Sequence, residues 1–387
     1  MNPTQRRALR NGVVAFAVTA GIGFGVNALF GGTGGTSGDR AVVTPAASPS
    51  PVCTRASEQV ATVDPDKAGS QLVGAVALSG SDVWAVGSTG SPDRPSSTLI
   101  EHWDGSLWVD VEAPDTGTLE NSLAAVDATG PDDVWAVGSA SSGAGAQPMI
   151  LRWDGTSWNT AIAPNLLGGG ALSGVVTVSP TDAWAVGYEG DTGIGSERAL
   201  ILHWDGTAWT VTATKAGGGK SLLRSVDAAA PDDVWAVGYH HQRPAAMHFD
   251  GNQWRWTTLD VRGDLFGVSA GAPDEAWAVG TAIVRWNGTA WKPVGTVRRK
   301  GELDAASMPS AAGLWAVGRR PAGDGVAALI QLFDGKRWSL VAGSAVVGSE
   351  SLAAVSALPD GTAWAVGYRD TKNGRRTLAL LLSSSCG

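Results

Sequence analysis

The phrase Trp-Ala-Val-Gly occurs seven times, beginning at Trp84, Trp135, Trp184, Trp235, Trp277, Trp315 and Trp364. Successive copies lie 51, 49, 51, 42, 38 and 49 residues apart. Self-similarity at that spacing means one supersecondary unit repeated, with neighbouring units burying the apolar surface that none can bury alone. A second phrase, Trp-Asp-Gly-Thr-x-Trp or a close variant, follows six of the copies. It begins at Trp103, Trp153, Trp204, Phe249, Trp286 and Phe333. The mismatch of seven against six constrains the fold as much as the repeat does.

Within the second unit, residues 122–128 read as a strand, Gly130-Pro131-Asp132-Asp133 as a tight turn and residues 134–140 as a second strand. A variable Gly/Ser loop follows, then a third strand over 148–153. Asp154-Gly155 is a strong hairpin signal, and residues 157–163 read as a fourth strand. Four antiparallel strands in roughly 40–50 residues is the period of a propeller blade. The strands are apolar on both faces because stacked blades bury both. The first strand of each unit is built of small residues (LAAVDA, LSGVVT, LRSVDA, LFGVSA, LAAVSA), as crowding at a central axis requires. The sequence therefore predicts an all-β chain with a single seven-bladed β-propeller of four-stranded antiparallel blades.

The seventh unit has three strands and then ends at SSSCG. An orphan strand, residues 58–63, precedes the first unit and is predicted to complete blade seven and close the ring. Closure removes the exposed edges that an open ring would leave. Cys53 and Cys386 flank the point where an Asp-Gly turn joins strands three and four elsewhere. A Cys53–Cys386 disulfide is predicted there, and the chain-entropy model rates the loop it closes at roughly 5 kcal/mol.

Residues 1–11 contain Arg6, Arg7 and Arg10 and no acid, and residues 12–30 carry no charge. A 19-residue apolar run suffices to cross a bilayer core of ~30 Å as a helix, with the basic flank inside. The favoured reading is an uncleaved single-pass anchor. The alternative is a signal peptide cleaved near Ala28. Both put the bulk of the chain outside the cytoplasm, where two cysteines pair. Residues 31–52 are a Gly/Ser/Pro-rich linker, and the propeller occupies 53–387. A formal charge of −8 excludes bulk nucleic-acid binding.

These units, with Trp-Asp ending the third strand, resemble the exported bacterial β-propellers of the kelch-like, YVTN-like and BNR-like superfamily common in actinomycetes. The resemblance covers about residues 58–383 and implies fold without naming a subfamily. The Ser-x-Asp part of the sialidase Asp-box is absent, as is the Gly-His signature of WD repeats. Fold alone does not assign an activity.

Of 18 tryptophans, all but Trp256 are in phase with the repeat, which reads as packing between blades rather than sugar stacking. His102, His203 and His248 alternate with Arg152 and Arg285 at one position, which reads as a strand surface rather than a metal site. The Pro-Asp-Asp carboxylates Asp132, Asp133, Asp232 and Asp233 read as turn ligands, and Tyr188, Tyr239 and Tyr368 as phased structural residues. No nucleophile–base motif, phosphate loop or copper-ligand set is present, so no cofactor, metal or catalytic residue is assigned.

What does not repeat is the loop between strands two and three, and these loops share one face. That face is the candidate site, with a basic sector formed by Arg298, Arg299, Lys300, Arg319, Arg320, Arg369, Lys372, Arg375 and Arg376, and with His240 and His241 on the loop of blade four. An anionic partner, such as a wall polymer, an anionic glycan or an acidic protein, is expected there, bound by a monomeric propeller. Two alternatives stand beside this binding or scaffolding module. One is a glycan-active hydrolase or lyase using Glu189, Asp191 and Glu197. The other is a structural envelope protein without a small ligand.

Overall fold

The computed structural model describes residues 53–387 apart from 64–68, 92–93, 115, 143–144, 191, 193–194, 213–218, 311–312, 343–347 and 387. The expected anchor at 12–30 and linker at 31–52 lie outside the described residues. Among the described residues no helix is long and apolar enough to cross a membrane, and the helical content is one 3₁₀ turn, Arg298–Lys300.

Seven antiparallel sheets of four strands make up the rest. Blade one comprises Gln71–Ser79, Asp82–Ser91, Arg94–Trp103 and Trp108–Asp110. The inner strands of blades two to seven are Glu120–Gly130, Gly170–Ser179, Ser221–Ala230, Leu265–Ala272, Glu302–Ser310 and Glu350–Ala357. Inner strands of successive blades pack side by side, blade seven against blade one included.

The seam closes as the strand count requires. Cys53–Val60 pairs antiparallel with Gly374–Cys386, with Val60 opposite Ala379 and Cys53 opposite Cys386. The closing strand lies earlier than the expected 58–63. Thr62 and Val63 leave the ladder and instead bond Thr377, whose hydroxyl lies 2.8 Å from that of Thr62. The side chains of Cys53 and Cys386, and so the expected disulfide itself, lie outside the described residues.

The Trp-Ala-Val-Gly tryptophans hold the blades together. Trp84 meets Trp158 of the next blade edge-on at 5.4 Å and 84°. The same pairing recurs at Trp135–Trp209, Trp184–Trp254, Trp235–Trp291, Trp277–Trp338 and, across the seam, Trp364–Trp108. Edge-to-face pairs of this kind add about 0.5–1.5 kcal/mol beyond area burial. Trp315 is the exception, because blade seven takes its fourth strand from CTRASEQV, which contains no tryptophan. Its Nε1 donates instead to the Gly361 carbonyl at 3.1 Å.

The His/Arg position is more than a strand surface. His102, His203 and His248 stack on Trp84, Trp184 and Trp235, with ring centroids 4.0–4.2 Å apart. Arg152 and Arg285 lie over Trp135 and Trp277. Each also reaches an acid at the end of the inner-strand turn: Asp82, Asp182, Asp233, Asp133 and Glu275 respectively. His and Arg interchange because both offer a flat face to the indole and an N–H to the carboxylate. So Asp133 and Asp233 serve the cap rather than the turn backbone. Blade six has Leu332 and Gly313 at the two positions, losing both partners together.

Near the axis a second device links blades. Side chains on five inner strands accept a backbone N–H from the following blade. Asp127 accepts from Thr177, Asp227 from Ala270, Ser269 from Met308, Ser307 from Ala357 and Ser356 from Ala77, over 2.6–3.1 Å. Val76 and Val176 occupy the equivalent positions in blades one and three.

Candidate functional site at the mouth of the axial channel

Each inner strand carries a buried leucine within its first four residues, and just past it the pairing with the second strand slips. The shift falls between Leu72 and Gly74, Leu123 and Ala125, Leu172 and Gly174, Leu223 and Ser225, Leu265 and Gly267, Leu303 and Ala305, and Leu352 and Ala354. Such a β-bulge removes one residue from the ladder and re-aims its side chain. The glycine of Trp-Ala-Val-Gly makes the bulge possible. A Cβ on Gly238 would lie 2.0 Å from the Leu222 carbonyl oxygen, and the other six glycines meet the inner strand at 1.9–2.1 Å.

The bulged residues line an axial channel of about 230 Å³ bounded by all seven inner strands. Four of them are small or aliphatic: Val73, Ala124, Ser173 and Ala353. In three consecutive blades they are Arg224, Phe266 and Asp304. The Arg224 guanidinium lies 5.2 Å from the Phe266 ring centroid, exposed and paired with no carboxylate among the described residues. Burial pushes Asp304 up to about 6, opposed by the Arg319 guanidinium 3.2 Å away. Because inner strands start at the variable-loop face, these residues form the channel mouth on that face.

Deeper in the channel, burial raises Asp127 to about 6 and Asp227 to about 7, and the Asp127 charge adds to the shift at Asp227. Beside the mouth, the Tyr239 hydroxyl donates to Glu197 at 2.8 Å. Burial first, and then that bond, push Tyr239 up to about 12. Tyr239 is thus tied into the loop face rather than serving the blade core.

The sequence-predicted residues distribute as follows. Arg319 binds Glu302 at 2.5 Å as well as Asp304, and so is internally neutralised. Arg375 binds Asp370 and Gln71 and covers the Tyr368 ring at 3.7 Å. Arg369 donates to Gln59, and Arg376 stands opposite Arg369 in the ladder. Arg298, Arg299 and Lys300 form the exposed 3₁₀ turn between blades five and six, with Arg320 beside it. His240 stacks on Trp256 at 4.5 Å, with His241 edge-on at 4.1 Å. Burial, with the neighbouring His241, lowers the pKa of His240. Among the described residues no group of three His, Cys, Asp or Glu is placed to hold a metal. Glu189 pairs with Arg198 at 3.5 Å, Glu197 is taken by Tyr239, and Asp191 lies outside the described residues. Arg319 reaches Asp304 at the channel mouth, Arg320 lines a separate cleft with Lys300, and Glu189 and Glu197 are each held by another partner.

Arg224, Phe266 and Asp304 escape motif reading because each is a single substitution in a strand otherwise read for packing. Aligning the units on their leucines exposes them as the non-repeating column. Two further polar side chains, Glu101 and Gln331, share one third-strand position that is apolar in the other blades, and both are fully buried. Burial pushes Glu101 up to about 8.

No protein-family model matches the chain, and no curated protein does. Solved structures do. One, YCF48 bound to D1 peptide, is 14% identical, with a TM-score of 0.57 over 86% of this chain and 97% of that one. A catalytically inactive virginiamycin B lyase from Staphylococcus aureus with quinupristin is 14% identical, with a TM-score of 0.58 over 85% and 100%. U3-55K is 9% identical, with a TM-score of 0.56 over 84% and 98%. At these identities the likeness establishes the β-propeller fold and assigns no activity.

Proposed function

We propose that this propeller is a binding or scaffolding module whose partner docks on the variable-loop face, over the channel mouth of blades four to six. The observation that carries this is the bulge column. Arg224, Phe266 and Asp304 break the repeat at the one inner-strand position freed from the ladder, and no packing requirement calls for an arginine or an aromatic there. An exposed arginine over an aromatic ring is a common recognition element. A peptide is the partner class we favour, in keeping with the peptide held by the fold-similar YCF48 structure. The test is a displayed peptide library panned on the full chain. Enriched peptides should lose at least tenfold in affinity for an Arg224→Ala/Phe266→Ala variant of unchanged melting temperature. Equal binding to both proteins would overturn the proposal.

We further propose that the propeller works outside the cytoplasm, tethered through residues 12–30, as a monomer with a Cys53–Cys386 disulfide at its seam. An anionic partner engages the basic sector of blades five to seven. The ladder that sets Cys53 opposite Cys386 supports the disulfide, since directly opposed residues of an antiparallel pair have Cα atoms about 4.5–5.5 Å apart, inside the span a disulfide bridges. Peptide mapping without reductant should recover the two cysteines in one linked fragment. Free thiols at both would refute the bridge.

A further inference from the structure

A cleft at the rim between blades five and six is separate from the axial channel. It has a volume of about 250 Å³ and is lined by Thr281, Lys300, Gly301, Glu302, Arg319, Arg320, Pro321 and Val326. Its charges do not cancel. The carboxylate of Glu302 is held by Arg319, which also holds Asp304. Lys300 and Arg320 pair with no carboxylate among the described residues, and the one hydrogen bond of the Arg320 guanidinium goes to the Pro321 carbonyl at 3.4 Å. Thr281 Oγ1 accepts the Asp264 N–H at 2.9 Å, which leaves its own proton to donate.

The backbone beside the cleft is held in an uncommon shape. Arg299 and Lys300 have φ of 58° and 54°. Non-glycine residues seldom adopt this region, least of all two in succession. His241 and Gln242 also adopt it, but there a two-residue hairpin turn demands positive φ. No hairpin exists at Arg299–Lys300. The turn is secured from below by Gln331, a fully buried side chain whose Oε1 accepts the Arg298 N–H at 2.7 Å. In five of the other blades Leu, Met or Val fills the Gln331 position. A buried amide where a hydrophobe would pack thus fixes a strained, three-cation turn against a cleft with unneutralised positive charge.

From this we infer that the cleft is an oxyanion site taking a phosphoryl group borne on the docking partner, with Lys300 and Arg320 as its charged ligands and Thr281 as a neutral donor. The inference rests on the loop face being a binding face. It narrows the basic sector to one cleft, because Arg319 and Arg375 are already committed to carboxylates.

The test is calorimetric titration of the full chain at low ionic strength with phenyl phosphate, a monoester, and with glycerophosphoglycerol, a diester. Saturable binding of either supports the site, and the tighter of the two names the source of the phosphoryl group. Lys300→Gln/Arg320→Gln should weaken that binding at least tenfold, whereas Lys336→Gln, an exposed cation on the Asp-Gly turn of blade six, should leave it within twofold. Gln331→Leu should also weaken it although it removes no charge. Arg224→Ala/Phe266→Ala should leave it intact, so that failure of the channel-mouth reading and failure of this one are distinguishable. Binding of neither ester, or equal losses in the Lys300/Arg320 and Lys336 variants, would overturn the assignment.

Discussion

The carboxylate of Asp227 on blade four accepts the backbone N–H of Ala270 on blade five at 2.8 Å. That contact ties two blades at the axis, where their backbones come closest. Replacing Asp227 with Ala strands the Ala270 N–H, and a buried unsatisfied group costs about 1–3 kcal/mol. Ser356→Ala, which strands the Ala77 N–H across the seam, should cost a similar amount. Chemical denaturation of the two variants measures both, and a stability loss under about 0.5 kcal/mol in each would show that water replaces these bonds.

The Trp-Ala-Val-Gly glycines are predicted to be the least replaceable residues of the fold. Gly238→Ala puts a methyl 2.0 Å from the Leu222 oxygen, and backbone rather than a flexible side chain would have to move. We expect a loss of more than about 2 kcal/mol, or a chain that fails to fold. The control is Gly80→Ala at the turn of blade one, where an added Cβ meets nothing within 4 Å. Comparable melting temperatures for the two variants would contradict the bulge account.

At the indole caps, His248→Arg should be nearly neutral, since arginine fills the same place in blades two and five. His248→Ala should cost about 1–2 kcal/mol, because it uncovers Trp235 and leaves Asp233, itself almost fully buried, without its donor. Asp233→Ala combined with His248→Leu, mimicking blade six, should recover most of that loss. Thermal melts of the three variants in parallel decide the matter.

Glu101 makes stability depend on pH in a definite direction. Its carboxyl is pushed up to about 8 from an ordinary 4.5 by burial. Between those values the folded chain holds a proton that the unfolded chain has released, so stability falls as pH rises, by up to about 1.4 kcal/mol per pH unit. Asp127, Asp227 and Asp304 act in the same direction, but their windows close at about 6, 7 and 6. The slope between pH 7 and 8 is therefore assigned to Glu101. Glu101→Gln, which copies the residue blade six carries at that position, should flatten it. A slope unchanged in the variant would assign it elsewhere.

Blade number, strand order and seam closure were legible in the sequence because each follows from counting phrases against strands. Inter-blade packing by tryptophan was legible for the same reason, a repeated residue in a repeated place. The bulge was not. Slippage of a ladder by one residue leaves no mark in apolar periodicity, and the invariant glycine opposite it reads equally well as a strand end. The basic sector was visible as composition, but its internal neutralisation was not, since Arg319 meets Asp304 through strand register and Arg375 meets Asp370 across a turn. The exchange of His for Arg before the third-strand aromatic was seen, yet its meaning depended on the indole beneath and the acid beside it, which only the folded blade brings together.

The bulged column also separates two demands that most positions must satisfy at once. Val73, Ala124, Ser173, Arg224, Phe266, Asp304 and Ala353 have no opposed partner in the ladder and stand outside the interlocked tryptophans. Their chemistry can change without disturbing the blade that carries them. The ring therefore works as a fixed circle of seven exchangeable positions. A lineage, or an engineer, could rewrite what the mouth recognises by editing those positions alone while the architecture around them stays as it is.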